Sequence, residues 1–383
     1  MAKSNFNFVG KLVPVKDTDK FKGYTETVFD SKWVGQKLAF NVVAGENSHL
    51  VEINAGYWQD ESKNSVIKTM TKAKDGKPSE KIDIPYEKRN DPEMIEKVAG
   101  YKIFTVDTET FAHRKELEEK GDTEGLEAAN KKRRHFLAGR DFCDFAKKVV
   151  YSDKAKDMKF RVTGDIEYSY SEKHGKYYAS YEVKKIYRVD DDAEPSSEVN
   201  IDFYFAEGAL DKEDFNETGK AIVSGYTQFY DSFTKKNWFA PIALVIRGTG
   251  DEEKDNKKLA GWERILSKFE EDQIRRITFT CQKINGAQKV DIKFEDLDED
   301  TQANIECGLI ELEDAIRDAG GQMYGDRIQE IRIEKLGYGS TKGSETTAYI
   351  LEDCLKKPHI EADEPEEDVF ADADDVKDDE DDI

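Results

Sequence analysis

The sequence has 383 residues, 37% of them charged, and a formal net charge of −23, of which −13 lies in the last 23 residues. No apolar run approaches the roughly 18 residues that a membrane span needs, so the composition excludes a membrane-spanning protein. The acidic total argues against polyphosphate binding by the chain as a whole, but basic and acidic residues are nearly balanced before the tail, so local basic surfaces remain open.

The first segment, residues 1–111, reads as β-rich. Segments of β-forming residues, such as FNFVGKLVPV (Phe6–Val15), lie between turn signals and predict strands. Asp91-Pro92 predicts the start of a short helix, and YKIFTVD (Tyr101–Asp107) predicts a last strand. Five strands with one short helix before the last predict a partly closed, OB-like barrel. The start of the chain lacks the pattern of a secretory signal. The four cysteines of the whole sequence are scattered, and both observations predict residence in the cytoplasm.

The pattern then changes three times. Residues 112–157 predict a helical linker, and residues 158–250 predict a second OB-like barrel whose opening FRVTGDIEY echoes FNFVGKLVPV. Residues 251–359 predict an α+β region with a hairpin turning at Asn285-Gly286, which is either a third barrel or a packing domain. Residues 360–383 predict a disordered acidic tail. The predicted fold class is therefore β-rich α+β, with two or three OB-like barrels joined by helices.

One strand combines basic and aromatic residues in a way typical of nucleic-acid binding. In Lys173–Val189 alternate residues face opposite ways, which predicts that one face carries Lys176, Tyr178, Lys184 and Arg188. Bases of single-stranded nucleic acid stack on aromatic rings while cations follow the phosphates. A solvated outer face with ordinary surface lysines explains the pattern of this strand equally well.

Similar neighbours recur elsewhere on the two β-rich segments. Each taken singly is more often packing than ligand contact, but their repetition favours binding. The candidates are Lys32, Trp33, Tyr57, Trp58, Tyr230, Lys235, Lys236 and Trp238. The densest basic run, NKKRRHF (Asn130–Phe136), falls on the predicted linker helix and could contact phosphates, receive the acidic tail or be a solvated face.

A nuclease is the alternative hypothesis. FTVDTETF places Asp107 and Glu109 two residues apart at a strand end, as in the first metal-binding motif of proofreading-type exonucleases, where paired carboxylates hold a divalent metal. No matching later motif is found, and the five dispersed histidines give no metal-ligand spacing. The sequence therefore predicts no catalytic residue, no bound metal and no cofactor.

The segments FVGKL (Phe8–Leu12) and RVTGDI (Arg161–Ile166), with the ending DDEDDI (Asp378–Ile383), resemble single-stranded DNA-binding proteins of bacteriophages. The resemblance implies OB-folds, a role in DNA replication or recombination, single-stranded DNA as ligand, and self-association along the strand. It also implies that the acidic end docks replication or recombination proteins, although the Pro-Phe tip of bacterial members is missing. The residues of this partner-binding end are Asp378, Asp379, Glu380, Asp381, Asp382 and Ile383.

The acidic tail has two predicted functions, and a simpler explanation of its charge is also open. Its charge can compete with DNA for the same basic groove at a high effective concentration, and binding of DNA then releases it for partner proteins. Alternatively, it only keeps an abundant protein soluble. A further possibility is that the chain is an acidic chaperone or a DNA mimic without nucleic-acid affinity of its own.

Overall fold

The computed structural model describes residues 4–73, 78–267, 269, 273–290, 294, 297–318 and 323–358. The tail predicted for residues 360–383, with its candidate partner-binding residues Asp378–Ile383, lies outside the described residues. None of the described helices is both long and apolar enough to cross a membrane. The chain is rich in strands, and fifteen of the described strands join in one large mixed sheet.

The strands take most of the chain, and the helices are short. Strands β1–β10 are Asn5–Pro14, Tyr24–Val28, Trp33–Ala44, Asn47–Trp58, Val66–Met70, Lys81–Pro85, Phe104–Asp107, Arg133–Phe136, Lys159–Ser171 and Lys176–Arg188. Strands β11–β17 are Ser196–Phe205, Leu210–Asp211, Lys220–Asp231, Lys236–Arg247, Gln273–Val290, Met323–Leu336 and Glu345–Ile350. Helices α1–α9 are Pro92–Lys97, Phe111–Glu119, Thr123–Asn130, Gly139–Val150, Phe215–Thr218, Glu252–Leu266, Glu299–Glu306, Leu312–Asp318 and Leu351–Leu355.

Five strands close a first ring of pairings. β1 pairs with β3 and β9, β3 pairs with β4, and β9 pairs with β10, all antiparallel. A parallel contact between β10 and β4 closes the ring. Helix α4 packs on it because Phe142, Ala146 and Val149 recur at helical spacing and bury one face.

The two segments that echo each other in sequence, FVGKL and RVTGDI, lie in β1 and β9 of this ring and pair with each other. Both segments need a glycine for the same physical reason. A Cβ at Gly10 would lie 2.2 Å from the carbonyl oxygen of Val43, and one at Gly164 would lie 1.9 Å from that of Glu182. Each glycine therefore lets the neighbouring strand approach closely where the ring curves.

A second ring repeats the same order of strands. β11 pairs with β13 and β15, β13 pairs with β14, and β15 pairs with β16, again antiparallel. A parallel contact between β14 and β16 closes it. Helix α6 falls between the third and fourth strands of this ring, as α4 does in the first ring. The chain thus builds one arrangement twice.

The strand pairing crosses the boundaries drawn from sequence. The second barrel was predicted to begin at residue 158, but β9 and β10 complete the first ring; the segment 251–359 supplies β15 and β16 to the second. The reason is that a long insertion, residues 59–138, separates the third and fourth strands of the first ring, and strand patterns do not reveal pairing partners. The predicted linker helix around NKKRRHF is also corrected, because Arg133–Phe136 forms β8.

The two rings are joined by reciprocal contacts. β1 and β11 pair antiparallel, from Asn5 opposite Asn200 to Val9 opposite Ser196. The β9–β10 hairpin packs on the β13–β14 hairpin, and β15 contacts the turn between β3 and β4. These contacts relate the rings by an approximate two-fold axis.

The predicted hairpin turn at Asn285-Gly286 is wrong, because β15 runs through both residues. The Asn285 side chain donates to the carbonyl oxygen of Ser48, and its backbone N–H donates to Asn47. A Cβ at Gly286 would lie 2.1 Å from the carbonyl oxygen of Glu46, so glycine permits this approach. The Asn-Gly pair serves the junction between the rings rather than a turn.

A buried histidine at this junction predicts acid sensitivity. His49 stacks on Phe8 at 4.2 Å and its Nε2 lies 2.7 Å from the Ser197 hydroxyl. Burial lowers the pKa of His49 from 6.5 to about 3. Because only the unfolded chain binds this proton, the free energy of unfolding falls by up to ~1.4 kcal/mol per unit as the pH drops from 6.5 towards 3.

Urea unfolding across this pH range tests the effect. His49→Gln is expected to lower stability at neutral pH but to flatten the dependence on pH, whereas His174→Gln, at the exposed β9–β10 turn, leaves the dependence unchanged. Equal slopes for the wild-type chain and His49→Gln would exclude His49 as the titrating group.

Candidate nucleic-acid interface

Two tryptophans lie side by side on the outer face of the first ring. Trp33 of β3 and Trp58 of β4 are directly opposite in register, and their rings meet at 5.2 Å and 69°. Both face outward because the buried residues nearest to Trp33 in β3 are Val34, Gln36 and Leu38, and the buried residues of β4 are His49, Val51 and Ile53, so each tryptophan is out of phase with the buried side of its strand. Gly56 makes room, since a Cβ there would lie 2.3 Å from the Trp33 ring.

Cations surround this pair. Lys63 Nζ lies 4.9 Å from the Trp58 ring centroid, and Lys32 is exposed beside Trp33 in the β2–β3 turn, with φ of 68°. We call Lys32, Trp33, Trp58 and Lys63 the Trp33–Trp58 patch. Next to it, the Arg140 guanidinium lies 3.8 Å from the ring centroid of Tyr57. A cavity of about 260 Å³ connects Tyr57, Arg140 and the patch. The structure therefore brings together four of the predicted residues, Lys32, Trp33, Tyr57 and Trp58.

The second predicted group divides between the surface and the interior. Tyr178 and Tyr230 are exposed, at 48% and 60%, on the adjoining β9–β10 and β13–β14 hairpins, and Lys176 and Lys236 stand at the ends of these strands. Lys235 lies in the β13–β14 turn with φ of 54°.

Trp238, in contrast, is only 5% exposed. It packs with Phe229 against Tyr170 and Tyr177, and its indole N–H donates to the Thr234 hydroxyl at 2.7 Å. It is thus positioned to hold the two hairpins together rather than to meet a ligand.

Lys184 and Arg188 do not extend this group. A β-bulge lies between Val183 and Lys185, so the alternation of faces that the sequence predicted shifts by one residue. Lys184 donates to Glu182 at 2.8 Å, and Arg188 lies 3.9 Å from Glu109 with its side chain mostly covered. The basic track predicted along β10 is therefore interrupted at the bulge.

The two carboxylates of the nuclease hypothesis are buried in a cluster of cations. Asp107 accepts two hydrogen bonds from Arg114, at 2.7 and 2.9 Å, and one from Arg133 at 2.7 Å. Glu109 accepts one from Lys132 at 2.7 Å. Asp107 and Glu109 are only 1% and 5% exposed. Their oxygens already have charged partners and do not face an open metal site.

The pKa of each carboxyl agrees with this arrangement. Burial opposes ionisation of Asp107, but hydrogen bonds from Arg114 and Arg133 outweigh it and lower the pKa. For Glu109, burial is likewise outweighed by Lys132. Among the described residues, no group of three or more His, Cys, Asp or Glu side chains could hold a metal ion.

Comparisons with known proteins identify a family. The sequence profile of YorF matches residues 62–305, more than half of the chain. The chain belongs to the YorF family. No curated protein matches.

The solved structures that are similar to this chain include a deletion mutant of the single-stranded DNA-binding protein from Thermus aquaticus. The identity is 10%, the match covers 74% of this chain and 89% of the other, and the TM-score is 0.29. Whether this YorF-family chain is of the bacteriophage type stays a prediction.

The outer face of the second ring differs from that of the first. Phe239 of β14 faces outward yet is only 2% exposed, because Tyr349 of β17 packs on it at 5.0 Å. Gln228 of β13 donates to the Tyr349 hydroxyl at 2.8 Å, and α9 also packs on β14. The C-terminal segment of this YorF-family chain thus covers part of the outer face of β13 and β14 near their turn, whereas the Trp33–Trp58 patch lies at the end of β3 and β4 far from theirs.

Sequence reasoning missed Arg140 and Lys63. Neither belongs to an aromatic and basic neighbour pair in the sequence, since Arg140 lies in the first turn of α4 and Lys63 lies in a short 3-10 turn after β4. Their proximity to Tyr57 and Trp58 arises only from the folding of the insertion onto the first ring. No local pattern could have identified them.

The cation cluster of this YorF-family chain predicts a structural role for Asp107. Asp107→Asn leaves Arg114 without its carboxylate in a buried site, which is expected to lower the free energy of unfolding by about 3–5 kcal/mol. Urea unfolding with and without magnesium measures the change. The control Glu116→Gln, which removes an exposed ion pair with Lys120, is expected to leave stability unchanged. Stabilisation by magnesium that Asp107→Asn abolishes would contradict the structural role and support a metal site.

Proposed function

We propose that this chain is a non-catalytic, sequence-tolerant single-stranded DNA-binding protein whose two rings are OB-type barrels. The order of strands supports the barrel assignment, since each ring runs first, second, third, fifth, fourth, with a helix before the fourth strand. An OB-fold is a five-stranded, partly open barrel that binds oligonucleotides on the face of its second and third strands. β3 and β4 occupy those positions in the first ring.

The observation that carries the proposal is the Trp33–Trp58 patch on that face. Every base has a π-face, so stacking on an exposed aromatic ring is tolerant of sequence and contributes roughly 1–3 kcal/mol per base. The patch supplies two indoles, with Lys32 and Lys63 beside them for phosphates. Arg140, stacked on Tyr57, extends the basic rim of the same cavity. The chemistry requires neither metal nor nucleophile.

The exposed and half-buried residues at the tips of the two adjoining hairpins are a second contact in this proposal. Tyr178 and Tyr230 offer stacking surfaces, while Lys176, Lys235 and Lys236 offer cations. The chain then acts in DNA replication or recombination in the cytoplasm, or in the host cytoplasm if it is viral, and associates with itself along the strand. The acidic tail, on this proposal, gates DNA binding and recruits partner proteins.

A fluorescence titration tests the stacking. Adding oligo-dT in EDTA to the full chain is expected to quench tryptophan emission, because Trp33 and Trp58 meet the bases while Trp238 and Trp262 are buried. Trp58→Ala is expected to weaken binding by about 1–3 kcal/mol, which is roughly 5- to 150-fold. Tyr338→Ala, which removes a fully exposed aromatic ring at the end of β16, is the control and leaves affinity unchanged. Equal affinities of Trp58→Ala and the wild-type chain would refute the stacking site.

A chain that ends at Ile360 tests the tail. Removing a charge of −13 that competes for the cations of the interface is expected to tighten oligo-dT binding several-fold at low salt, with a smaller gain at high salt because both interactions are screened. Titrations of both chains at two salt concentrations measure this. Unchanged affinity at both salts would leave solubility as the role of the tail.

A further inference from the structure

A large cleft opens beside the Trp33–Trp58 patch, on the side of the insertion. Its volume is about 930 Å³, and its walls are the edge strand β8, one face of α4 and the segment from Arg89 to Ile103. We call it the β8–α4 cleft. Phe136 and Phe145, with Ile95 and Ile103, give it an apolar floor, while basic side chains stand around the rim.

The positive side chains that line the cleft outnumber the carboxylates that could neutralise them. Asp141 is neutralised by Arg89, which donates to it at 2.6 Å, whereas Asp144 accepts only from the neutral amide of Gln36 at 3.2 Å and keeps its charge. Three exposed cations, Lys72, Arg134 and Lys148, have no carboxylate within ion-pair distance in the described parts of the chain. Glu96 is the remaining acid of the lining. The rim therefore carries a local excess of positive charge on a strongly acidic protein.

Arg134 is held ready for an anion. Its guanidinium lies 4.9 Å from the ring centroid of Phe145, so the aromatic ring orients the planar group without using its N–H donors. Such a guanidinium matches the oxygens of a phosphate in bidentate geometry. Beside it, His135 has a pKa lowered by burial and by Arg133, and its Nδ1 lies 3.0 Å from the Thr105 hydroxyl.

The cleft and the cavity at the patch are adjacent. Tyr86 lines the cavity at Trp33 and Trp58, and Arg89, which lines the cleft, lies 4.1 Å from the Tyr86 ring centroid. On the other side, the consecutive residues Arg140 and Asp141 of α4 line the two cavities in turn. The cleft therefore lies directly beside the surface on which a strand would stack.

We propose that the β8–α4 cleft binds the phosphates of the single strand that leaves the Trp33–Trp58 patch, chiefly through Arg134 and Lys148. The inference rests on the proposed function and adds to it a second phosphate site, formed by the insertion rather than by the ring. Nucleic acid is favoured over an acidic peptide because the cations continue the path that starts at the stacking rings. The acidic tail is the competing occupant.

The experiment compares a short and a long strand on the full chain. The double variant Arg134→Ala/Lys148→Ala removes both exposed cations, and Lys254→Ala/Lys257→Ala on α6 removes the same charge from a distant surface as the control. The probes are oligo-dT of about 6 nucleotides, which the patch alone can hold, and of about 30 nucleotides. Tryptophan quenching is measured over a range of salt concentrations.

The expected result is specific to the long probe. Each lost phosphate contact reduces the magnitude of the slope of log K against log salt concentration by roughly 0.7. The slope of the double variant should therefore be smaller in magnitude by about 1.4 with the long probe and unchanged with the short probe. A slope equal to that of the control with the long probe would overturn the proposal. The proposal would also be overturned if the double variant bound a peptide of residues 361–383 more weakly but bound both DNA probes as the wild-type chain does, because the cleft would then be a site for the tail. A wild-type chain that binds neither probe would refute the proposed function itself.

Discussion

The antiparallel pairing of β1 with β11 is the constraint on which the rest of the structure depends. It joins the first strands of the two rings and thereby fixes where every other strand lies. With β1 and β11 paired, each ring presents the hairpin of its fourth and fifth strands to the second and third strands of the other. His49 and Ser197 bond across this junction, and Asn285 bonds to the β3–β4 turn. The rings are therefore held at several points and are not independent units on a linker.

This approximate symmetry makes the differences between the rings informative. Both rings have an outer face on their second and third strands, but β17 and α9 cover that of the second ring with Tyr349 and Cys354. On the first ring the same face holds Trp33 and Trp58, with the insertion beside it instead of above it. One arrangement of strands thus serves two purposes, an open aromatic surface in the first ring and a docking surface for the chain's own C-terminal segment in the second.

The sequence predicted the parts of the fold that depend on local patterns. The strand pattern in β1, the helical pattern within residues 112–157 and the start of α1 after Asp91 are local, and the structure contains each of them. Pairing partners depend instead on residues more than a hundred positions apart, as for β1 with β9, so the insertion was taken for the end of a barrel. The bulge at Lys184 is decided by the register of β9 against β10 and displaced two predicted site residues. For the candidate site, the two half-buried tryptophans of the patch could be identified from the sequence, but Lys63, which folds against Trp58, could not.

The distribution of charge explains how so acidic a chain could still hold a polyanion. Inside the insertion, Arg114 and Arg133 form ion pairs with Asp107, and these pairs hold β7, β8 and α2 together. The alternation of β8 then points Arg134 away from this cluster and into the cleft, where its contact in the described parts of the chain is the aromatic ring of Phe145. Since the Debye length is about 8 Å at physiological salt, distant acidic residues are screened at the site, and the few uncompensated cations decide the local potential. The buried ion pairs and the exposed cations of the NKKRRHF run are therefore two consequences of one alternating strand.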